Sequence, residues 1–107
     1  VDPSRLALVA GLCAFVKKNR ESERIAVQMA LDRTGKGREP LSDLRFRKLL
    51  SIDDRTELYH SMIRIIRMLS GEVNLRSLAD VVYWWNITVK KQLATDYYDH
   101  AGSRTQD

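Results

Sequence analysis

Helical periodicity is the feature that most constrains the fold of this chain. Five segments repeat apolar residues every three to four positions, and none shows the alternation of apolar and polar residues that is typical of a half-buried β-strand. Each segment also follows a residue whose side chain can cap a helix N-terminus. The sequence therefore predicts an all-α fold, a compact helical bundle of about five to six helices. The candidate capping residues are Asp2, Ser22, Ser42, Ser51 or Asp53, and Asn74.

Length and composition allow one small domain. The chain has 107 residues, of which 44% are hydrophobic and 30% charged, as in ordinary globular proteins. We expect a single helical-bundle domain over residues 1–101 and a polar tail over residues 102–107. One cysteine cannot form an intrachain disulfide, and two histidines with one cysteine are too few for a structural zinc site, so no metal and no cofactor is predicted. The longest apolar stretch, residues 6–16, is too short to span a bilayer, which predicts a cytoplasmic protein without a membrane partner.

The first helix is predicted to form the centre of the core. It begins at Asp2-Pro3 and is apolar on nearly every side up to Val16, and such a helix has to be buried on several sides. Cys13 in this helix is therefore predicted to be a core residue rather than a reactive thiol.

The sequence predicts the ends of some later helices and leaves others open. The second is predicted over residues 22–35, and the fourth is predicted to end at Gly71. The last helical region, residues 75–100, is either one long helix or two helices with a bend near Asn86.

A group of titratable residues around His60 could suggest an acid–base site. Asp53, Asp54 and Glu57 lie within two helical turns of it, but they occupy a face that is expected to be solvated and has no cleft-forming loop. Acidic residues at a helix start also complement the helix dipole. We therefore predict no catalytic residue and no enzymatic activity.

Basic residues outnumber acidic residues by 18 to 14, which gives a net charge of +4. Six basic and two acidic residues lie between Arg33 and Lys48, and further basic residues follow the first helix. A nucleic-acid backbone is bound by several separated cations that follow successive phosphates, which helices can supply along one side of a bundle. This distribution favours a nucleic-acid partner, although a merely solvated basic face would look the same.

Two tryptophans are adjacent in the chain, at positions 84 and 85. Trp85 and Tyr97 are in phase with the core positions, whereas Trp84 points elsewhere and is a candidate for an interface. No polar recognition helix is evident between Gly71 and Leu93, which argues against sequence-specific reading of DNA.

A series of segments resembles a known family. In this order and spacing, it is similar to the CasB family, the small subunit of the type I-E CRISPR Cascade surveillance complex. Members usually carry further helices before the one that opens this chain and a longer insertion before the Arg-Phe segment. The segments that carry the resemblance are Arg45-Phe46-Arg47-Lys48-Leu49-Leu50, Asp54-Arg55-Thr56-Glu57-Leu58, residues 63–69, residues 73–78, Trp84-Trp85, residues 89–94 and Asp96-Tyr97-Tyr98, and residues 8–14 resemble the first core helix of the family.

The resemblance implies an architectural role without enzymatic activity. Such subunits are all-α, pair head-to-tail with a second copy, contact the backbone and large subunits of Cascade around the guide RNA, and hold the non-target strand of target DNA when the R-loop opens. A holder that is blind to sequence needs Arg and Lys on a rigid scaffold rather than donors aimed at base edges. Positions that match basic positions of the family are Arg45, Lys48, Arg64, Arg67, Lys90 and Lys91, and further candidates are Lys17, Lys18, Arg20, Lys36 and Arg38.

Two other functions remain open at this point. A helical protein–protein interaction module with a merely solvated basic face would centre its contact on exposed aromatics such as Trp84. A hydrolase would need a cleft that contains His60 and a perturbed carboxylate.

Overall fold

Helices make up nearly all of the regular structure. The computed structural model describes residues 2–31 and 39–104, except the side chains of residues 102–104. Within these ranges there are six helices, so the predicted all-α bundle is confirmed, with two strands of two residues each as additional elements. In chain order the elements are α1 (Pro3–Cys13), β1 (Lys18–Asn19), α2 (Ile25–Ala30), α3 (Asp43–Leu50), α4 (Arg55–Met68), β2 (Glu72–Val73), α5 (Leu75–Tyr83) and α6 (Ile87–Arg104).

The core lies among α2 to α6 and is organised around two buried rings. Tyr97 of α6 stacks on Phe46 of α3 with ring centroids 4.0 Å apart, and its hydroxyl donates to the carbonyl oxygen of Leu41. Trp85, between α5 and α6, donates its indole N–H to the carbonyl oxygen of Ile52 at 2.7 Å. Both rings bury apolar surface while their polar atoms stay bonded. The core positions predicted for Trp85 and Tyr97 are therefore confirmed.

Helix α4 has well-formed caps at both ends. Its N-cap is Asp54, whose carboxylate accepts the backbone N–H of Glu57 at 3.1 Å, so neither of the predicted capping residues is the cap. At the other end, Ser70 and Gly71 have positive φ angles of 59° and 75°. The Gly71 N–H donates to the carbonyl oxygen of Ile66 at 2.9 Å, the long bond of a Schellman motif. Helix α4 thus ends at Met68, three residues before the predicted Gly71, and Gly71 belongs to the turn that closes it.

Helix α1 is not the centre of the core, contrary to the prediction. Leu12 is its one fully buried residue, while Leu6 is 51% exposed and Cys13 is half-buried. The helix packs with one side against α5 and α4, where a Cβ on Gly11 would lie 2.9 Å from the Tyr59 hydroxyl oxygen. An apolar repeat shows which residues can be buried, but the number of neighbouring elements decides how many are.

Helix α2 is shorter than predicted. It begins at Ile25 because Arg24 is extended, and it ends at Ala30 because Leu31 is extended as well. Residues 32–35 of the predicted helix lie outside the described residues.

A short parallel pairing joins the segment after α1 to the segment after α4. Lys18 of β1 is opposite Glu72 of β2, and Asn19 is opposite Val73. Two residues are too few for an alternating pattern, so the sequence did not indicate these strands.

The region after β2 forms two helices, which decides the alternative left open by the sequence. Asn74 caps α5 as predicted, accepting the N–H of Ser77 at 3.0 Å. Asn86 lies at the break between the two helices, and its side chain accepts the N–H of Val89 at 2.9 Å in the first turn of α6. Helix α6 continues to Arg104, and the division of the chain at residue 101 stays a prediction. None of the described helices is long and apolar enough to cross a membrane.

Candidate nucleic-acid interface

Three of the predicted basic residues surround one open groove between two helices. Arg45 and Lys48 of α3 and Arg64 of α4 line a space of about 490 Å³. All three residues are exposed. We call this space the α3–α4 groove, and its remaining lining residues are Leu41, Leu49, Ser51, Ile52, Glu57, Ser61, Ile65 and Met68.

The local sequence of each helix explains this placement. Ser42 starts α3 by accepting the N–H of Arg45 at 3.3 Å. Phe46 and Leu49 then point into the core, which leaves the positions one residue before each of them, occupied by Arg45 and Lys48, on the outer side.

Helix α4 presents its cation in the same way. Met62, Ile65 and Ile66 are buried, so Arg64 lies on the side of the helix that faces away from the core. The alternation of core and surface positions on both helices could be predicted from sequence. The distance between the outer face of α3 and that of α4 could not be predicted, because it depends on how the two helices pack.

The charges of the α3–α4 groove are largely uncompensated. Among the described residues, no carboxylate lies within ion-pair distance of Arg45, Lys48 or Arg64. The guanidinium of Arg45 contacts the sulfur of Met68 at 3.8 Å. Glu57 is the one acidic residue in the lining, so three positive charges face one negative charge there. Such a surface attracts anions, and salt weakens this attraction by screening the charges.

Arg67 extends the basic side of α4 beyond the groove. It is exposed, three residues after Arg64, and its guanidinium lies over the ring of Phe15 at 5.6 Å from the centroid. This contact holds the side chain while leaving its charge available, because a ring neutralises no charge.

The basic residues in and beside β1 differ from one another. Lys17 and Lys18 are exposed, and their backbone N–H groups both donate to the carbonyl oxygen of Gly71, at 2.8 and 3.1 Å. Arg20 forms an ion pair with Glu72 of β2, so its charge is already compensated. None of these residues lines the α3–α4 groove.

The two lysines of α6 are also separate from the groove. Lys90 has a side chain only 16% exposed, pairs with Asp53 at 2.9 Å and lies over the Trp85 ring at 5.2 Å. Lys91 is exposed. The side chain of Lys90 is thus occupied within the chain, which the sequence did not indicate. The two remaining candidates, Lys36 and Arg38, lie outside the described residues.

The residues around His60 form separate contacts rather than one site. His60 is exposed and meets the ring of Tyr59 edge-on at 5.7 Å. Asp54 is occupied as the cap of α4, and Asp53 by its pair with Lys90. No group of three or more potential metal ligands occurs among the described residues.

Sequence reasoning missed a second cluster of positive charge, in which Arg5 and Arg55 meet at the backbone of Tyr83. Arg5 and Arg55 each donate to the carbonyl oxygen of Tyr83 at 3.4 Å. Both arginines lie in the first turn of a helix, where a cation is unfavourable beside the positive end of the dipole. That unfavourable position was the signal in the sequence that could have drawn attention to them.

Comparison with known proteins identifies the family. The family described as CRISPR-associated protein Cse2 matches residues 2–98, which is nearly the whole chain. No curated protein and no solved structure gives a significant match. The match covers every segment on which the resemblance to the CasB small subunit rests, and the all-α fold agrees with it. The chain therefore belongs to the Cse2 (CasB) family, the small subunit of type I-E CRISPR Cascade.

Proposed function

We propose that this small subunit helps to hold the non-target DNA strand that is displaced when the R-loop opens. It does so through a basic surface that contacts phosphates and does not read bases. The exchange of DNA pairing for guide pairing is nearly balanced in energy, so protein contacts to a strand backbone can tip it. The observation that carries the proposal is the grouping of Arg45, Lys48 and Arg64 around the α3–α4 groove.

The chemistry of this groove suits a flexible strand. Its cations come from two helices whose inner faces are fixed in the core, so they are held on a rigid scaffold. Arg67 continues the row along α4. Exposed lysines and arginines on a rigid surface bind successive phosphates and discriminate little between sequences.

The proposed role implies partners within Cascade and no enzymatic activity. The subunit acts in the cytoplasm, beside the backbone and large Cascade subunits, the guide RNA and a second copy of itself. It is not an enzyme, because a holder needs no catalytic group. The acidic residues near His60 support this, since Asp54 and Asp53 are engaged in a cap and an ion pair.

The salt dependence of strand binding tests the proposal. For a labelled single-stranded oligonucleotide, contact with about five phosphates predicts a log–log slope of roughly −3.5. Replacing Arg45, Lys48 and Arg64 together by Ala removes about three contacts and should flatten that slope by about 2. Oligonucleotides of different base composition should bind alike.

A matched control separates the groove from general charge. Arg76 of α5 is an exposed arginine outside the α3–α4 groove, so Arg76→Ala and Arg64→Ala remove the same charge from different places. The slope should change in Arg64→Ala and stay near the wild-type value in Arg76→Ala. Equal changes in both would mean that the groove is not the site.

A protein–protein module with a merely solvated basic face is the second candidate. Trp84 and Ile87 are 54% and 66% exposed, and Trp84 lines a groove of about 610 Å³ between α5 and α6, which favours such a contact. This candidate predicts no retention on a polyanion at moderate salt.

A further inference from the structure

The cluster of Arg5, Arg55 and Tyr83 brings two guanidinium groups to one place at the C-terminal end of α5. Because Arg5 Nη1 and Arg55 Nη2 both approach the carbonyl oxygen of Tyr83, the two groups are close neighbours despite their like charge. Both contacts, at 3.4 Å, are long for hydrogen bonds from charged donors. One carbonyl oxygen therefore compensates the pair only in part.

The two arginines are not equally compensated. Arg5 also pairs with Asp2 at 3.2 Å, and its guanidinium lies over the Tyr83 ring at 5.8 Å. Arg55 has no carboxylate within ion-pair distance among the described residues, and its buried Nε has no hydrogen-bond partner there. A half-buried cation without a counter-ion is costly, and an unsatisfied buried donor calls for an explanation. An external anion would supply the missing charge.

The residue that follows Tyr83 carries an exposed aromatic ring. Trp84 follows Tyr83 directly, packs edge-on against its ring at 4.8 Å and is 54% exposed. Two guanidinium groups and an exposed indole that all adjoin one residue, Tyr83, can bind a phosphate and stack a neighbouring base, the combination used for single strands. A protein carboxylate would use the arginines but would gain little from the indole face.

We propose that Arg5, Arg55 and Trp84 form a second contact for single-stranded nucleic acid, with a phosphate at the arginines and a base on Trp84. This contact is separate from the α3–α4 groove, which none of the three residues lines. The choice of nucleic acid as the ligand rests on the proposed function. The geometry of the contact is independent of that function, because it rests on the contacts around Tyr83.

Tryptophan fluorescence of the full chain gives a local readout. Trp84 is exposed whereas Trp85 is buried at 7% exposure, so quenching by short oligothymidylate reports on Trp84. Arg55→Gln should weaken this binding about tenfold, the loss expected for one hydrogen bond to a charged group. Arg55→Lys keeps the charge and should recover part of it. Arg47→Gln, which removes an exposed arginine of α3 that lines neither the α3–α4 groove nor the groove at Trp84, should leave the quenching unchanged.

A second variant keeps the test sound if Arg55→Gln disturbs α4. Trp84→Leu changes an exposed side chain, and binding of a labelled oligonucleotide should weaken about fivefold or more through lost stacking. The affinity of an abasic oligonucleotide should be the same for Trp84→Leu and the wild type, because it has no base to stack.

The outcomes separate this contact from the α3–α4 groove. Binding that depends on Arg64 but leaves Trp84 fluorescence unchanged would overturn the second contact and keep the proposed function. If quenching depends on Arg55 while replacing Arg45, Lys48 and Arg64 leaves the salt slope unchanged, the second contact stands and the α3–α4 groove is overturned as the strand-binding site. Quenching by short polyglutamate but not by oligothymidylate would assign the contact to an acidic protein segment and overturn the proposal.

Discussion

At the scale of single residues, Tyr98 shows how a surface contact changes the chemistry of one group. Its hydroxyl donates to the carboxylate of Asp43 at 2.5 Å. Partial burial, followed by this hydrogen bond and the negative charge of Asp43, raises the pKa of Tyr98 above its ordinary value, and Arg47 lowers it by less. The hydrogen bond joins α6 to the first turn of α3.

Titration of Tyr98 tests this arrangement. Because its folded pKa is raised, the contribution to stability is complete below the unfolded pKa of about 10 and is lost as pH rises through the folded pKa. Asp43→Asn should lower the pKa of Tyr98 part of the way, since burial remains. The measurement is the phenolate absorbance of wild type minus that of Tyr98→Phe. An unchanged Tyr98 titration in Asp43→Asn would contradict the assigned role of Asp43.

At the scale of elements, Gln28 connects three parts of the chain. It is 1% exposed on α2, donates from Nε2 to the carbonyl oxygen of Arg20 at 2.9 Å, and accepts the N–H of Asn74 at Oε1, also at 2.9 Å. The side chain thus bonds the end of the β1 segment and the start of α5 at once. We expect it to hold these elements in register.

Replacing Gln28 by Leu should therefore be costly. The change leaves one acceptor and one donor without partners in part-buried positions, each worth up to about 1–3 kcal/mol in the free energy of unfolding. Urea unfolding followed by circular dichroism measures the loss. Gln92→Leu is the control, because Gln92 is exposed and its amide bonds to no other described residue than Asp96. A similar small change in both variants would mean that the two bonds of Gln28 contribute little.

At the scale of the whole molecule, the buried residues are concentrated in α2 to α6, and α1 lies at the edge. The molecule measures 45 × 28 × 20 Å along its principal axes, so it is elongated rather than spherical. Helix α1 contributes one buried anchor, Leu12, and leaves apolar residues such as Leu6 half exposed. Its attachment therefore depends on Leu12 and on the partly buried Leu8 and Val9.

Two leucine variants of α1 measure that attachment. Leu12→Ala should lower the free energy of unfolding by about 2–5 kcal/mol, the range for a buried leucine that leaves a cavity. Leu6→Ala should change it by less than about 0.5 kcal/mol, as for other surface substitutions. Denaturant unfolding of both proteins gives the comparison. If Leu6→Ala proved as damaging as Leu12→Ala, α1 would be buried on both sides, as the apolar repeat alone predicted.

The sequence by itself determined the helical class, the main start and stop signals and the family. Caps, the left-handed turn at Gly71 and the 3.6-residue repeat act over four or five neighbouring residues, so a local pattern is enough to read them. The series of segments that carries the family resemblance is likewise a property of the chain order.

Only the tertiary structure decided which cations are free and which lie together. Arg45 and Arg64 are nineteen positions apart, and their common groove depends on how α3 packs beside α4. Lys90 and Arg20 look as available in the sequence as Arg64, yet Asp53 and Glu72 pair with them across the fold. The edge position of α1 and the proximity of Arg5 to Arg55 likewise result from the packing of elements that are distant in the chain. A local pattern shows which side of a helix faces the core, but the neighbours that compensate these charges or cover that side are distant in the chain, so only the fold decides them.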